Sequence, residues 1–386
     1  MKVIIISDFW TGIRPIVFND SDKSAGMPAF YNTLVALNSD ERISEVKCHF
    51  VGVGEDIKAC YKNSSLNKVD FIVYNYASKI GLLKCLTSII FELSKEIKKL
   101  GYKNVILFGH GAIGSICGVI SKLTGVKNIR RVYGTFLVDL MHLSNFRMFL
   151  KHPLAFLLFK LPHDKLIVTN DGTHGDMVYK RINGNLEGLH FLVNGVNKVS
   201  LTHQPENIIS YVARIDRWKQ QHLAIEAFAK TEYARKNYTL KIAGPIYDDK
   251  YNKELMALIS KLGLENSVQL LGSLSRENTD KLLVKSSLTL SLYNTSNFGN
   301  VFIESLQNGV PILSCNINGS LDYVDEDCYI QLDNYDVESI ALRLDSVLKD
   351  KKYLEELSTN SVNFSKKAFV SWSDRAALEV DILLNS

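Results

Sequence analysis

The chain has 386 residues, 46% of them hydrophobic and 22% charged, with a formal net charge of +4. That length exceeds one core and suits two domains of ordinary size, and the composition is that of a globular protein, not a disordered or fibrous one. Charge is uneven: residues 1–200 carry 25 Lys and Arg against 16 Asp and Glu, whereas the remainder carries 20 against 25. A basic half either meets an anionic surface or is simply solvated.

The opening run "MKVIIISDFW" is too short for a signal peptide and has no cleavage-like end. No stretch approaches the roughly 18–20 apolar residues of a membrane span, so a cytoplasmic protein is expected. Six scattered cysteines with no CxxC pair favour reduced thiols over disulfides or zinc.

Strands are predicted at 2–7, 47–52, 70–75, 104–109, 130–135, 165–170 and 189–194, with helical periodicity between most of them, as in "LTSIIFELSKEIKKL" (86–100). Continuous β-branched runs alternating with helices imply a parallel sheet buried on both faces. The polar stretch 194–207 reads as a linker. The pattern restarts with strands at 207–213, 240–244, 267–272, 288–293 and 310–315. Two doubly wound α/β domains are therefore expected, with ligands beyond the carboxyl ends of their strands and a cleft between them. The divisions fall at 1–197, 198–370 and a final helix, 371–386, which should cross back to the first domain, capped by Ser373.

Within this frame "SDKSAGMPAF" places Gly26 before a helix that begins near Pro28, where backbone can approach a phosphate or sugar. It is not GxGxxG, and no acidic residue ends the next strand, so a dinucleotide site is poorly supported. "FGHGAIG" puts His110 at a strand end between glycines, a ligand-facing place that also suits a structural histidine. The segment 141–162 mixes aromatics and leucines with Arg147, Lys151 and Lys160; it fits a membrane interface or a buried helix with a proline break. In "ARIDRWKQQ", Arg214 ends a strand and Lys219 opens a helix five residues on. Both types of cation bind diphosphates, but the pair also suits an ordinary basic turn. In "SNFGNVFIESLQNGVPILS", Gly299 precedes a helix whose first amides and dipole favour an anion. Glu304 follows one turn later, where an acid can simply stabilise the dipole. The acids of "DSD" (20–22) and "DED" (325–327) read as loop residues, and no metal site is expected.

Taken together, "LVNGVN", "YVARIDRWKQ", "LKIAGP", "VQLLGSLS", "FGNVFIESLQNGVPILS" and "SWSDRAALEV" resemble the retaining nucleotide-sugar glycosyltransferases of the GT-B fold, glycosyltransferase family 4 (glycosyl transferases group 1). The resemblance covers 165–385; before that only the architecture matches. It implies that Arg214 and Lys219 hold the donor diphosphate and stabilise it as it leaves, with His110 as a further candidate at the reacting centre. The amides of Phe298, Gly299 and Asn300 would hold the same phosphates and Glu304 the ribose hydroxyls. Leu274 and Ser275 would meet the base, Gly26 the phosphates and acceptor, and Tyr133 the acceptor.

Two departures stand out. Where the family has Glu, seven residues, then Glu, the first position here is Ser296, which leaves Asn297 or Asn300 to grip the donor sugar. Tyr133 replaces a histidine common before the glycine of "VYGTF". The activity implied is transfer, with retention and without a metal or other cofactor, of a hexosyl or N-acetylhexosaminyl group from a UDP-sugar. The acceptor implied is a saccharide, lipid-linked at the inner face of the cytoplasmic membrane, in surface polysaccharide (O-antigen or capsule) assembly. No nucleic-acid partner is implied. A non-catalytic sugar-nucleotide-binding protein and a sugar-nucleotide epimerase are the alternatives.

Overall fold

A computed structural model describes the chain except residues 23, 25, 27, 56, 57, 198–201, 294–296 and 386. The chain divides into two compact units, Met1–Gly195 with Ser371–Ser386, and Val196–Val370.

The first unit is built on strands β1 (Lys2–Asp8), β2 (Glu45–Val53), β3 (Lys58–Lys62), β4 (Val69–Tyr76), β5 (Val105–His110), β6 (Lys127–Val132), β7 (Lys165–Asn170) and β8 (Leu189–Val193). They form one sheet in the order β3-β4-β2-β1-β5-β6-β7-β8. All pairings are parallel except β3 with β4. Val3 to Ser7 are buried without a break, as expected of a strand covered by helices on both faces. The chain runs from β1 outward to β2 and β4, then returns to place β5 on the other side of β1. That reversal opens a crevice at the carboxyl ends of β1 and β5, where ligands of such sheets bind. Ser7 and His110 lie opposite each other there. The C-terminal helix Trp372–Leu384 packs on the helix Pro28–Ser39 of this unit, with Val380 and Leu383 in its core. Its cap is Ser371, whose side chain accepts from the Asp374 amide, not Ser373.

The second unit holds β9 (Glu206–Val212), β10 (Thr239–Ala243), β11 (Val268–Gly272), β12 (Ser286–Ser291), β13 (Ile312–Ser314) and β14 (Ile330–Gln331), in the order β11-β10-β9-β12-β13-β14, all parallel. Its reversal lies between β9 and β12, locked by the Ser210 and Thr289 hydroxyls at 2.8 Å.

Two strands were not expected. Strand β3 is a five-residue edge strand without a continuous apolar run, and β14 has only two residues. Strand β6 begins three residues before the expected start, because Lys127 and Asn128 continue the ladder with β5. The expected linker at 194–207 lies partly outside the described residues; within its described part, β9 begins at Glu206.

Buried histidines give this fold a pH dependence. Burial pushes His49 and His163 down to about 4 and holds His110 well below the ordinary imidazole value. Below pH 6.5 the unfolded chain takes up protons that the folded chain refuses. Stability should therefore be intact above pH 6.5 and fall as pH drops towards 4. Urea midpoints at pH 7, 5.5 and 4.5 would show the decline, and His49→Gln should flatten it.

Candidate active site

The carboxyl edge of the second sheet brings the expected cations together with aromatic rings. Arg214 lies two residues beyond β9, in a turn held by the Gln221 side chain, which donates to the Arg214 carbonyl at 2.8 Å. Gly244, just past β10, lets that loop touch the turn: a Cβ there would come 1.9 Å from the Ala213 carbonyl oxygen. The Arg214 guanidinium pairs with Asp216 at 2.9 Å and lies over the rings of Tyr247 (4.6 Å) and Trp218 (5.7 Å). Lys219 places Nζ 3.6 Å from the Tyr293 ring centroid and 4.3 Å from that of Trp218. Such faces attract cations and restrict their long side chains.

Tyr293 also joins the two strands of the crevice. It follows β12, and its hydroxyl donates to the Val212 carbonyl at 3.0 Å. Its backbone amide donates to Asn297 Oδ1 at 3.1 Å, while Asn297 Nδ2 donates to the Cys315 carbonyl at 3.0 Å. Asn297 is fully buried. Its side chain therefore stitches the loop together and is not the sugar-gripping amide expected. Phe298 is also fully buried, among Phe302, Tyr323 and Phe369. Gly299 caps the helix Asn300–Gln307 with no side-chain contribution. The helix follows the loop that Asn297 ties to Tyr293, so the positive end of its dipole lies on the carboxyl side of β12. Ser296 lies outside the described residues.

Glu304 is buried on that helix, and it is not a lone carboxylate: Arg276 Nη1 lies 2.5 Å from its Oε1. Burial pushes the Glu304 carboxyl above the ordinary range, and Arg276 opposes that shift. Leu274 is half-buried beside the core of this unit, and Ser275 caps the helix Arg276–Val284 by accepting from the Asn278 amide. Asp325, Asp327 and Cys328 are the one grouping of potential metal ligands among the described residues, and two of the three are exposed.

In the first unit the structure joins two of the expected residues, His110 and Tyr133. His110 is fully buried, edge-on to Phe30 and Phe108, and shares a 2.7 Å hydrogen bond with the Tyr133 hydroxyl. Its ring is turned into the core, and it meets the cavity described below through Tyr133. Gly26 is exposed at φ +91°, and an added Cβ would meet nothing within 4 Å.

Tyr133 does line a cavity of about 330 Å³ at the carboxyl ends of β1, β5 and β6, with Asp8, Trp10, Gly111, Thr135 and Phe136. Gly111, at φ +63°, is required there: a Cβ would fall 2.2 Å from Asp8 Oδ2. Asp8 accepts from the Ile113 amide at 3.4 Å, and burial raises its carboxyl above the ordinary range. Asp8 and the aromatic partners Trp218, Tyr247 and Tyr293 were not singled out from sequence; only the place of Asp8 and Tyr293 at strand ends marked them.

Residues 196–364 match the model of the glycosyl transferases group 1 family. The match spans the crevice that holds Arg214, Lys219 and the loop before Asn300. No curated protein matches the chain by sequence. Solved structures similar to it over its whole length include Anabaena Alr3699/HepE in complex with UDP (TM-score 0.72, 15% identity, all of both chains). Also similar is WaaG, a glycosyltransferase involved in lipopolysaccharide biosynthesis (TM-score 0.68, 15% identity, all of both chains). A third is the sucrose-phosphate synthase (tll1590) from Thermosynechococcus elongatus (TM-score 0.72, 16% identity, 99% of this chain and 98% of that one). At these identities the likeness establishes fold: two Rossmann-like, parallel-sheet domains, as in GT-B glycosyltransferases.

Proposed function

We propose that this chain, whose residues 196–364 match the glycosyl transferases group 1 model, is a retaining glycosyltransferase that moves a sugar from a UDP-sugar to a hydroxyl of a saccharide. The observation that carries this reading is the Arg214–Lys219 pair, seated on Trp218, Tyr247 and Tyr293 at the switch point of the second sheet. The adjoining helix end gives that crevice a second source of positive potential. A crevice of this chemistry suits a diphosphate that gains charge as it leaves. In the reaction the bond from the sugar's anomeric carbon to the diphosphate breaks, and the acceptor oxygen bonds to the same face. The acceptor proton passes to the departing phosphate oxygen. Arg214, Lys219 and the helix amides neutralise that charge, so no metal is required, and the rate should survive a chelator. Incubation with UDP-sugars and a saccharide acceptor, following released UDP and the anomeric form of the product, tests the proposal. An inverted product would refute retention. Bound UDP without turnover would indicate a binding protein instead.

The cavity of the first unit suits the acceptor. Aromatic faces pack against sugar rings, and a buried carboxylate accepts from hydroxyls. Asp8→Asn should raise the acceptor KM about tenfold, the scale of one charged hydrogen bond, and leave UDP binding unchanged, as calorimetry would show.

A lipid-linked acceptor at the cytoplasmic membrane face, in surface polysaccharide assembly, completes the reading. No helix among the described residues is long and apolar enough to cross a membrane. In the segment 141–162, Met148, Phe156, Leu158 and Phe159 are buried, so most of its apolar surface serves the core. Phe146 and Leu150 remain exposed, one turn apart, beside Arg147 and Lys151. Phenyl and leucyl groups flanked by cations suit a headgroup layer. Flotation with anionic liposomes at low salt should carry the protein, and Phe146→Ser with Leu150→Ser should reduce it severalfold. Absence of flotation by the unaltered chain would remove the membrane from this reading.

A further inference from the structure

The partner of Glu304 is itself held in place. Arg276 is the first residue of the helix Arg276–Val284, and Asp280 lies one turn on. Asp280 takes two edges of the guanidinium: Nε donates to Oδ2 at 3.1 Å, and Nη2 pairs with Oδ1 at 2.7 Å. One hydrogen bond and one ion pair thus hold two edges of the group to Asp280. The remaining nitrogen, Nη1, is left directed at Glu304 Oε1 at 2.5 Å. The Glu304 side chain is 5% exposed and that of Asp280 15%, whereas Arg276 is 43% exposed. The three residues therefore form a relay from the rim of the second unit inward, linking the helix after β11 to the helix after β12.

A buried carboxylate without a cation tends to take up a proton, because burial penalises its charged form. A protonated carboxyl has lost acceptor capacity and offers a donor in its place. Arg276 and Asp280 are the charged groups that act on Glu304 among the described residues. The helix Lys351–Ala368, packed against the helix that carries Glu304, buries Leu354, Leu357, Ser361 and Ser365, none of which titrates in this range.

We propose that Arg276, anchored by Asp280, is a positioning residue for the donor: it keeps the Glu304 carboxylate ionised and in one orientation, able to accept from the ribose hydroxyls of a nucleoside diphosphate sugar. The inference rests on the reading of Glu304 as the ribose ligand. Asp280 serves by leaving Arg276 a single nitrogen to offer, so its role is geometric. Arg276 need not touch the donor.

Calorimetric titration of the full chain with UDP, from pH 5.5 to 8.5, separates the two ideas. The unaltered chain should bind with little change over that range. Glu304→Gln should bind roughly tenfold more weakly at every pH, the loss of one charged hydrogen bond. Arg276→Met should be as weak as Glu304→Gln near pH 6 and recover as pH rises, because Glu304 then ionises unaided. Arg276→Lys should restore most of the affinity near pH 6. Thermal melts of each variant would confirm folding.

If Glu304→Gln weakens binding while Arg276→Met matches the unaltered chain throughout, the positioning role is refuted. A loss in Arg276→Met that is equal at all pH values also refutes it, pointing to a direct contact or to packing. If Glu304→Gln binds UDP normally, or the unaltered chain does not bind UDP, the ribose reading itself fails and this inference with it.

Discussion

Lys219→Ala should lower transfer by roughly two to three orders of magnitude, the scale of one preorganised donor aimed at developing charge. Arg214→Ala should cost a similar factor. Both side chains follow β9, but their environments differ. Arg214 is exposed and shares its charge with Asp216 at 2.9 Å. Lys219 is half-buried between Trp218 and Tyr293, with the closer ring at 3.6 Å. Its long stem is thereby restricted before a donor arrives, which is what makes a cation effective as charge develops.

Tyr293 separates positioning from charge. Tyr293→Phe keeps the ring face under Lys219 and loses the hydroxyl's hydrogen bonds to the Val212 carbonyl and the Ser291 side chain, about 1–2 kcal/mol of stability with little loss of rate. Tyr293→Leu removes the face and should lower turnover about tenfold with Lys219 intact, the scale of a buried cation–π contact. Released UDP, measured with a verified donor, decides each case. Full turnover by Lys219→Ala would overturn the assignment of the diphosphate crevice.

The fold was legible because buried parallel strands announce themselves as continuous apolar runs. "KVIIIS" and "LTLSLY" needed no context, whereas "KACYK" alternates weakly at a sheet edge and passed unnoticed. Arg214, Lys219 and Glu304 were found by a different signal, their place at strand ends and helix starts. That signal gives position but not company. Nothing local connects Lys219 to Tyr293, seventy-four positions on, or Glu304 to Arg276, because the partnerships exist only once β9, β11 and β12 lie in one sheet. The same limit explains His110 and Asn297. The glycines on either side of His110, and Gly299 two residues after Asn297, make each look like an exposed loop residue, yet each side chain is fully buried. Ser296, where the resembled family has a glutamate, lies outside the described residues, so its role rests on assay: Ser296→Glu with unchanged rate and donor preference would exclude it as a sugar contact.

Glu379→Leu should destabilise the first unit by about 3–5 kcal/mol, the penalty of leaving buried charge unpaired. Glu379 lies on the C-terminal helix and is 3% exposed. Its Oε1 meets both Arg131 Nε and Arg375 Nη1 at 2.8 Å, and its Oε2 accepts from the Thr33 hydroxyl at 3.0 Å. The arginines are buried as well, and each has a neutral partner besides Glu379. Arg131 Nη1 donates to Thr169 Oγ1 at 2.7 Å, and Arg375 Nε donates to the Val193 carbonyl at 2.8 Å. One carboxylate thus balances two guanidinium groups, already a net charge of one. Burial pushes Arg375 down to about 10, still charged at neutral pH. Removing Glu379 leaves both cations with neutral partners only. Glu379→Gln preserves shape and the Thr33 contact but not charge, and should lose nearly as much. The control lies two residues on: Asp381 pairs with Arg42 at 2.8 Å, yet both side chains are more than half exposed, so Asp381→Asn should cost less than about 1 kcal/mol. Denaturant melts of the three variants test the contrast. The damage should also reach the acceptor side, because Arg131 stacks 4.5 Å over the Tyr133 ring, and Tyr133 lines the Asp8 cavity. A Glu379 variant that melted like the unaltered chain would mean that water enters and solvates the two arginines, and the cluster would then carry no weight in holding the C-terminal helix to its unit.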